Sequence, residues 1–235
     1  MAAAAAAAPK VLTEDLGKIF ERAICLVYDT PFVGTYSYDL ARATTLATKL
    51  TSLPTLFPAC THTAIRGSPY DFTATDGTTT THLSAKSTKR DGKVCPQVIG
   101  QPSRTRFCQH FGLPEATTDL PAIKDYITAN LSTLLARYET HTFDCPIVYH
   151  NAAKKTTLFV RQTAPIPWST LTLRLSHAAA GRAWNESSTV YLGDTGRVAI
   201  GEFQVHTHRD CIKFRWCFEK LLALFPDNFA ITPVT

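Results

Sequence analysis

The dipeptide Asp76-Gly77 sits between two short runs, 70–75 and 80–88, that are rich in Thr, Tyr, Phe and His. Asp-Gly between such runs is a strong signal for a β-hairpin, because its residues accept the left-handed backbone of a tight turn. A hairpin fixes which side chains share a face. A two-residue loop sets Asp71 opposite His82, a four-residue loop over 76–79 sets it opposite Ser84, and a longer even loop sets it opposite Lys86. Side chains alternate along a strand, so all three partners lie on one face with Asp71.

The rest of the chain supplies helices around this hairpin. Thr13, followed by Glu14 and Asp15, opens a first helix, with Leu16, Ile19, Phe20, Ala23, Ile24 and Val27 at helical spacing. It ends before Thr30-Pro31. Ser37 is expected to cap a second helix through Leu40, Ala43, Ala47 and Leu50, closed off by Pro54 and Pro58. Asp119 is expected to cap one long helix running to Tyr138. Strands are expected at 146–150, 156–161, 170–175, 189–192 and 198–205, with a turn at Gly193 to Gly196. Asp210 is expected to cap a closing helix through Ile212, Trp216, Glu219, Leu222 and Leu224. Helices at both ends with strands between predict an α/β (mixed α+β) domain, a central mixed sheet flanked by helices. Residues 1–10 read as a flexible Ala-rich tail and 11–235 as a single domain.

Charge narrows the function. Between residues 85 and 110, Lys86, Lys89, Arg90, Lys93, Arg104 and Arg106 face a single acid, Asp91, and this stretch carries the whole net charge of +5. A local basic surface suits a polyanion. The seven cysteines form no CxxC pair, and their odd number points to free thiols in a reducing, cytoplasmic compartment. No apolar run is long enough to span a membrane, so no membrane partner is expected.

A carboxylate beside a lysine on one strand face suits metal-assisted phosphodiester cleavage. Asp71 would hold a hard cation through oxygen, and the Ala85 carbonyl would be a second ligand. Lys86 would orient the attacking water and stabilise developing negative charge. Read as structure alone, Asp71 and Lys86 would form a cross-strand ion pair worth under ~1 kcal/mol.

Pro69-Tyr-Asp71, a turn, then Ser84-Ala-Lys86 resembles the hairpin of PD-(D/E)xK nucleases. With the segment Leu83 to Gly112, containing Lys93-Val-Cys-Pro-Gln-Val-Ile-Gly-Gln-Pro102, the chain resembles a type II restriction endonuclease. The resemblance implies a nuclease core on a mixed sheet, Mg²⁺ dependence and double-stranded DNA as substrate, within a restriction-modification system. It implies Asp71 as metal-binding acid and Lys86 as the motif lysine. Ser84 stands where the motif usually has an acid, which leaves the site one carboxylate short. Glu21 on the first helix is the first candidate to replace it, and His82 a further member of the site.

Beside such a hairpin the basic stretch reads as a DNA-contacting surface. Gln97, Gln101, Arg104 and Arg106 suit base edges, while Lys89, Arg90 and Lys93 suit phosphates. Glu202, Gln204, His206 and His208 alternate with apolar residues and share a face, so Gln204, His206 and the following Arg209 are further DNA candidates. Arg209, Lys213 and Arg215 would meet phosphate. His206, His208 and Cys211 also have zinc-ligand chemistry, but no fourth ligand follows at a recognisable spacing. Ser84 and Lys86 could form a hydrolase dyad, but no nucleophile elbow accompanies them. A non-catalytic DNA-binding module and a nicking or repair nuclease remain the alternatives. A monomer and a homodimer both fit.

Overall fold

The computed structural model describes residues 13–65, 68–90, 92–96, 103–114, 119–193 and 198–234. The Ala-rich tail, Gln97, Gln101 and most of the turn after Gly193 lie outside these residues.

The expected hairpin forms as β2 (Phe72–Thr75) and β3 (Thr80–Thr88). Thr75 pairs with Thr80 and Phe72 with Leu83, so the loop has four residues, Asp76 to Thr79. The Asp76 carboxylate accepts from Thr78 N, Thr79 N and the Thr78 hydroxyl at 2.8–2.9 Å, while Gly77 takes φ +101°. These bonds favour the charged carboxylate and lower its pKa.

β3 then changes partners. Residues 80–83 pair antiparallel with β2, and residues 84–88 pair parallel with β5 (Ile147–Asn151). Among the described residues the mixed sheet runs β1 (Ala59–His62), β2, β3, β5, β6 (Thr156–Gln162) and β11 (Phe229–Pro233). A second, antiparallel sheet forms a separate layer where the sequence pattern predicts a single central sheet. It runs β4 (Lys93–Val94), β10 (Ile212–Cys217), β9 (Val198–Val205), β8 (Ser187–Leu192) and β7 (Leu173–Leu175).

Each face of the mixed sheet has its own core. On one face α1 (Thr13–Val27) buries Ile19, Phe20, Ala23 and Ile24 against Leu83, Ala85 and Val148. α2 (Leu40–Ala47) and the short α3 (Leu53–Leu56) close that side. On the other face Ile147, Tyr149 and Val160 meet Val190, Phe203, Phe214 and Trp216 of the second sheet, with α4 (Arg104–Phe111), α5 (Leu120–Ala129) and α6 (Leu131–Thr142). Trp216 is fully buried and donates its indole N–H to Thr142 Oγ1 at 2.8 Å. Truncating such a side chain costs about 3–5 kcal/mol.

Three expectations need correction. The closing helix is β10 followed by the shorter α8 (Phe218–Leu224), because Ile212, Phe214 and Trp216 point inward while Lys213 and Arg215 alternate outward. The long helix after Asp119 breaks at Asn130, whose amide Nδ2 and backbone N–H both donate to Tyr126 O. α2 is capped by Asp39, not Ser37. The basic stretch contains a helix, α4, capped by Ser103 and ended by Gly112 at φ +77°. Small α7 (Ser176–Ala179) and two 3₁₀ turns, Trp168–Thr170 and Pro226–Asn228, complete the described elements. No described helix is long and apolar enough to cross a membrane. No disulfide joins the described cysteines.

His150 on β5 stacks on Phe20 at 5.3 Å and shares a 3.1 Å hydrogen bond with Thr157 Oγ1. Burial pushes its pKa down from 6.5 to about 4. Its imidazole is therefore neutral in the fold, and its contribution is complete above the unfolded value near 6.5 and lost as pH falls toward 4. Urea unfolding is expected to show about 2 kcal/mol lost between about pH 7 and about pH 5. His150→Gln should remove most of that slope; an unchanged slope would contradict the assignment.

Candidate functional site

Asp71 lies one residue before β2, not inside it. Its N–H donates to Leu83 O at 3.0 Å and its carbonyl accepts from Thr63 N at 2.9 Å, so the backbone is still locked into the sheet. The four-residue loop places Asp71 opposite Ser84. Ser84 Oγ donates to Asp71 Oδ2 at 3.1 Å, and the Ala85 N–H donates to the same oxygen at 2.7 Å.

This bond forms where β3 leaves β2. Ser84 N turns to β5 and donates to Pro146 O at 3.0 Å. Ala85 N therefore points the other way, to the edge that β2 no longer covers. A strand residue sends its N–H and C=O to the same side, so the Ala85 carbonyl points to the same side of β3 as the N–H that Asp71 accepts. One oxygen of Asp71 is thereby held by β3, and the donor set of carboxylate and carbonyl is all oxygen.

Ser84 is fully buried, and Lys86 is half-buried on the same face. His82 shares that face, exposed, with its ring stacked on Tyr70 at 4.1 Å. The ammonium of Lys86 and the carboxylate of Asp71 both act on the Cys145 thiol, whose pKa burial pushes up to about 12. Asp144 acts on the same thiol and on the Tyr70 hydroxyl, whose pKa rises under its charge. The sequence reading missed Asp144. Only the non-local parallel pairing of β3 with β5 brings it to the hairpin, and no local spacing signals that.

Glu21 is elsewhere. It bonds His62 Nε2 at 3.2 Å and Lys18 at 2.8 Å. His62 packs on Phe72, which pairs with Leu83, so Glu21 lies on the face opposite Ser84 and Lys86. Burial raises its pKa, but the bonds from His62 and Lys18 outweigh this and hold it low.

The basic candidates divide into engaged and outward-facing groups. Lys93 and Arg215 pair with Glu202 at 2.8 and 2.6 Å, and Gln204 donates to it at 2.8 Å. Burial raises the pKa of Glu202, but the bonds and charges of Lys93 and Arg215 outweigh it and hold it low. Arg104 Nη2 spans the carbonyls of His206, Thr207 and Arg209 at 3.2–3.5 Å. His206 bonds Glu186 at 3.0 Å. Arg90, Arg106 and Arg209 are exposed, and Lys89 is half-buried. Lys86, Lys213 and Arg215 all act on the Cys95 thiol, so the basic face of the second sheet adjoins the hairpin.

The chain is similar to a type II restriction enzyme. It is 43% identical over 223 residues, 94% of its length, to the type II restriction enzyme CviAII of Paramecium bursaria Chlorella virus 1. It spans 63% of that enzyme's length. No family model matches the chain, and no solved structure does.

The position of Glu21 gives a stability expectation. Glu21→Ala strands the buried His62 ring and should cost about 2–3 kcal/mol in urea unfolding. Lys18→Met, which removes a largely exposed partner, should cost well under ~1 kcal/mol. Equal losses from the two would show that the buried Glu21–His62 bond is not what Glu21 contributes.

Proposed function

We propose that this chain carries the cleavage site of a type II restriction endonuclease, cutting double-stranded DNA at a specific sequence by Mg²⁺-assisted hydrolysis on a PD-(D/E)xK-like core. The observation that carries the reading is the Asp71 carboxylate fixed against Ser84 and Ala85, with Lys86 next on the same face. The identity to CviAII, extending through this hairpin's part of the chain, supports the same reading.

The oxygen donors of Asp71 and the Ala85 carbonyl fit a hard divalent cation better than a soft one. Bound there, Mg²⁺ would polarise the scissile phosphate and acidify a water. The remaining work belongs to side chains. Asp71 is held rigid by two hydrogen bonds, which fixes the position of its second oxygen. Ser84 supplies one of those bonds and no charge. Lys86 orients the attacking water and stabilises the charge that grows on the phosphate oxygens, an effect concentrated in the transition state. Asp144 is the second acid of the site in this reading, in place of Glu21, and His82 with Tyr70 forms its rim.

DNA would lie across the outward-facing cations, Lys89, Arg90, Arg106 and Arg209, and reach the second sheet at Lys213. Arg104, Lys93 and Gln204 act in this reading as supports that hold the DNA-facing loop and the Glu202 cluster in place.

Incubation with plasmid DNA and Mg²⁺ tests the proposal. Discrete fragments are expected, lost on addition of EDTA. Lys86→Ala should abolish cleavage while leaving DNA affinity within about tenfold, or roughly 1.4 kcal/mol. Asp71→Asn should remove orders of magnitude of activity and Asp76→Asn little, because Asp76 is committed to the turn. Nicked circles would point to a nicking enzyme, and an intact plasmid with a gel shift to a binding module. Full activity in Lys86→Ala would overturn the hairpin assignment.

A further inference from the structure

We propose that Glu186, His206 and His208 form a chelating site for a divalent transition metal of the zinc type, on the antiparallel sheet and distinct from the Asp71 group. Glu186 immediately precedes β8, and its carbonyl accepts from Val205 N at 2.7 Å, which ties it to the end of β9. His206 and His208 follow β9 directly. Glu186 Oε2 lies 3.0 Å from His206 Nδ1, and Oε1 lies 3.5 Å from His208 Nδ1. A ligand atom from each of the three side chains lies within 4.8 Å of the others. Two donors at about 2.05 Å from a tetrahedral zinc stand about 3.3 Å apart, and each imidazole nitrogen stands close to that spacing from its own oxygen of the Glu186 carboxylate.

The donors are also held in advance. Lys124 Nζ donates to the carbonyls of Trp184 and Asn185 at 3.0 and 2.6 Å, which fixes the strand entry that bears Glu186. Arg104 spans the carbonyls of His206, Thr207 and Arg209, which fixes the turn that bears both imidazoles. Two cations from two different helices thus pin the two halves of the cluster. Pinning of this kind lowers the ordering cost of binding.

The donor set chooses the metal. Two imidazole nitrogens and one carboxylate suit zinc and its neighbours, whereas Mg²⁺ takes oxygens. His208 is the exposed member, so the remaining coordination position opens to water. Cys211, a zinc-ligand candidate by sequence, lies outside the cluster, and Glu186 takes its place. A metal here cross-links β8 to the turn between β9 and β10 and rigidifies the segment that carries Arg209.

The test is direct binding, independent of cleavage. Protein stripped with a chelator is titrated with Zn²⁺ by calorimetry and by thermal shift. One equivalent should bind saturably, raise the melting temperature, release protons and resist competition by excess Mg²⁺. Co²⁺ should give the visible d–d bands of a low-coordinate nitrogen and oxygen site. Glu186→Gln and His208→Ala should each weaken Zn²⁺ by more than about tenfold, with unchanged melting in chelator. Asp71→Asn should bind Zn²⁺ as the wild type does. No saturable binding up to about 100 µM would overturn the proposal. So would uptake that survives in Glu186→Gln, or uptake that is lost in Asp71→Asn.

Discussion

The site depends on one carboxylate closing an edge that a strand exchange opens. β3 pairs with β2 only as far as Leu83, opposite Phe72 where β2 begins, and its other edge takes up β5 from Ser84 onward. The Ala85 N–H would then face the edge without a ladder partner, at a cost of roughly 1–3 kcal/mol if it were buried unpaired. Asp71 accepts that N–H and the Ser84 hydroxyl with one oxygen. The same event that satisfies the backbone presents a fixed anionic group and a neighbouring carbonyl on one edge. Structure and proposed chemistry therefore share a cause, and Lys86 inherits its position from the same strand.

Around that edge, charge is partly spent on architecture. Glu202 gathers Lys93, Arg215 and Gln204, and Arg104 clamps the turn after β9. A basic stretch read as a uniform polyanion surface is thus a mixture of internal supports and outward-facing cations. Charge-assisted bonds of this kind are stronger than neutral ones, and they fix the loop that presents the exposed Arg209. Specific binding gains from such fixing, because less order must be imposed when the partner arrives.

What could be read in the sequence was local. The Asp-Gly turn, the shared face of Asp71, Ser84 and Lys86, and β9 over 198–205 follow from period-two alternation and turn chemistry alone. What could not be read was non-local or doubly coded. Ile212 and Trp216 sit four apart, a helical spacing, but Phe214 between them makes the strand pattern fit better, and tertiary burial decided it. Asn130 carried its own signal, a side chain that competes for a helix carbonyl, inside an otherwise periodic run. Asp144 and Glu186 reach their neighbours only through sheet pairings across long stretches of chain. Family resemblance points Glu21 to the hairpin, but the alternation that buries Leu83 and Ala85 under α1 puts it on the far face.

The central claim is that the Asp71–Ala85 edge of β3 holds the cation that activates the scissile phosphate. Anomalous diffraction at the manganese edge, from crystals of the protein with duplex DNA and Mn²⁺, tests it most directly. The account predicts a peak within ligand distance of the Asp71 carboxylate and the Ala85 carbonyl, about 2.1–2.3 Å, beside a DNA phosphate. A peak only at Glu21 and His62, or only at Glu186, His206 and His208, with none at Asp71, would contradict it.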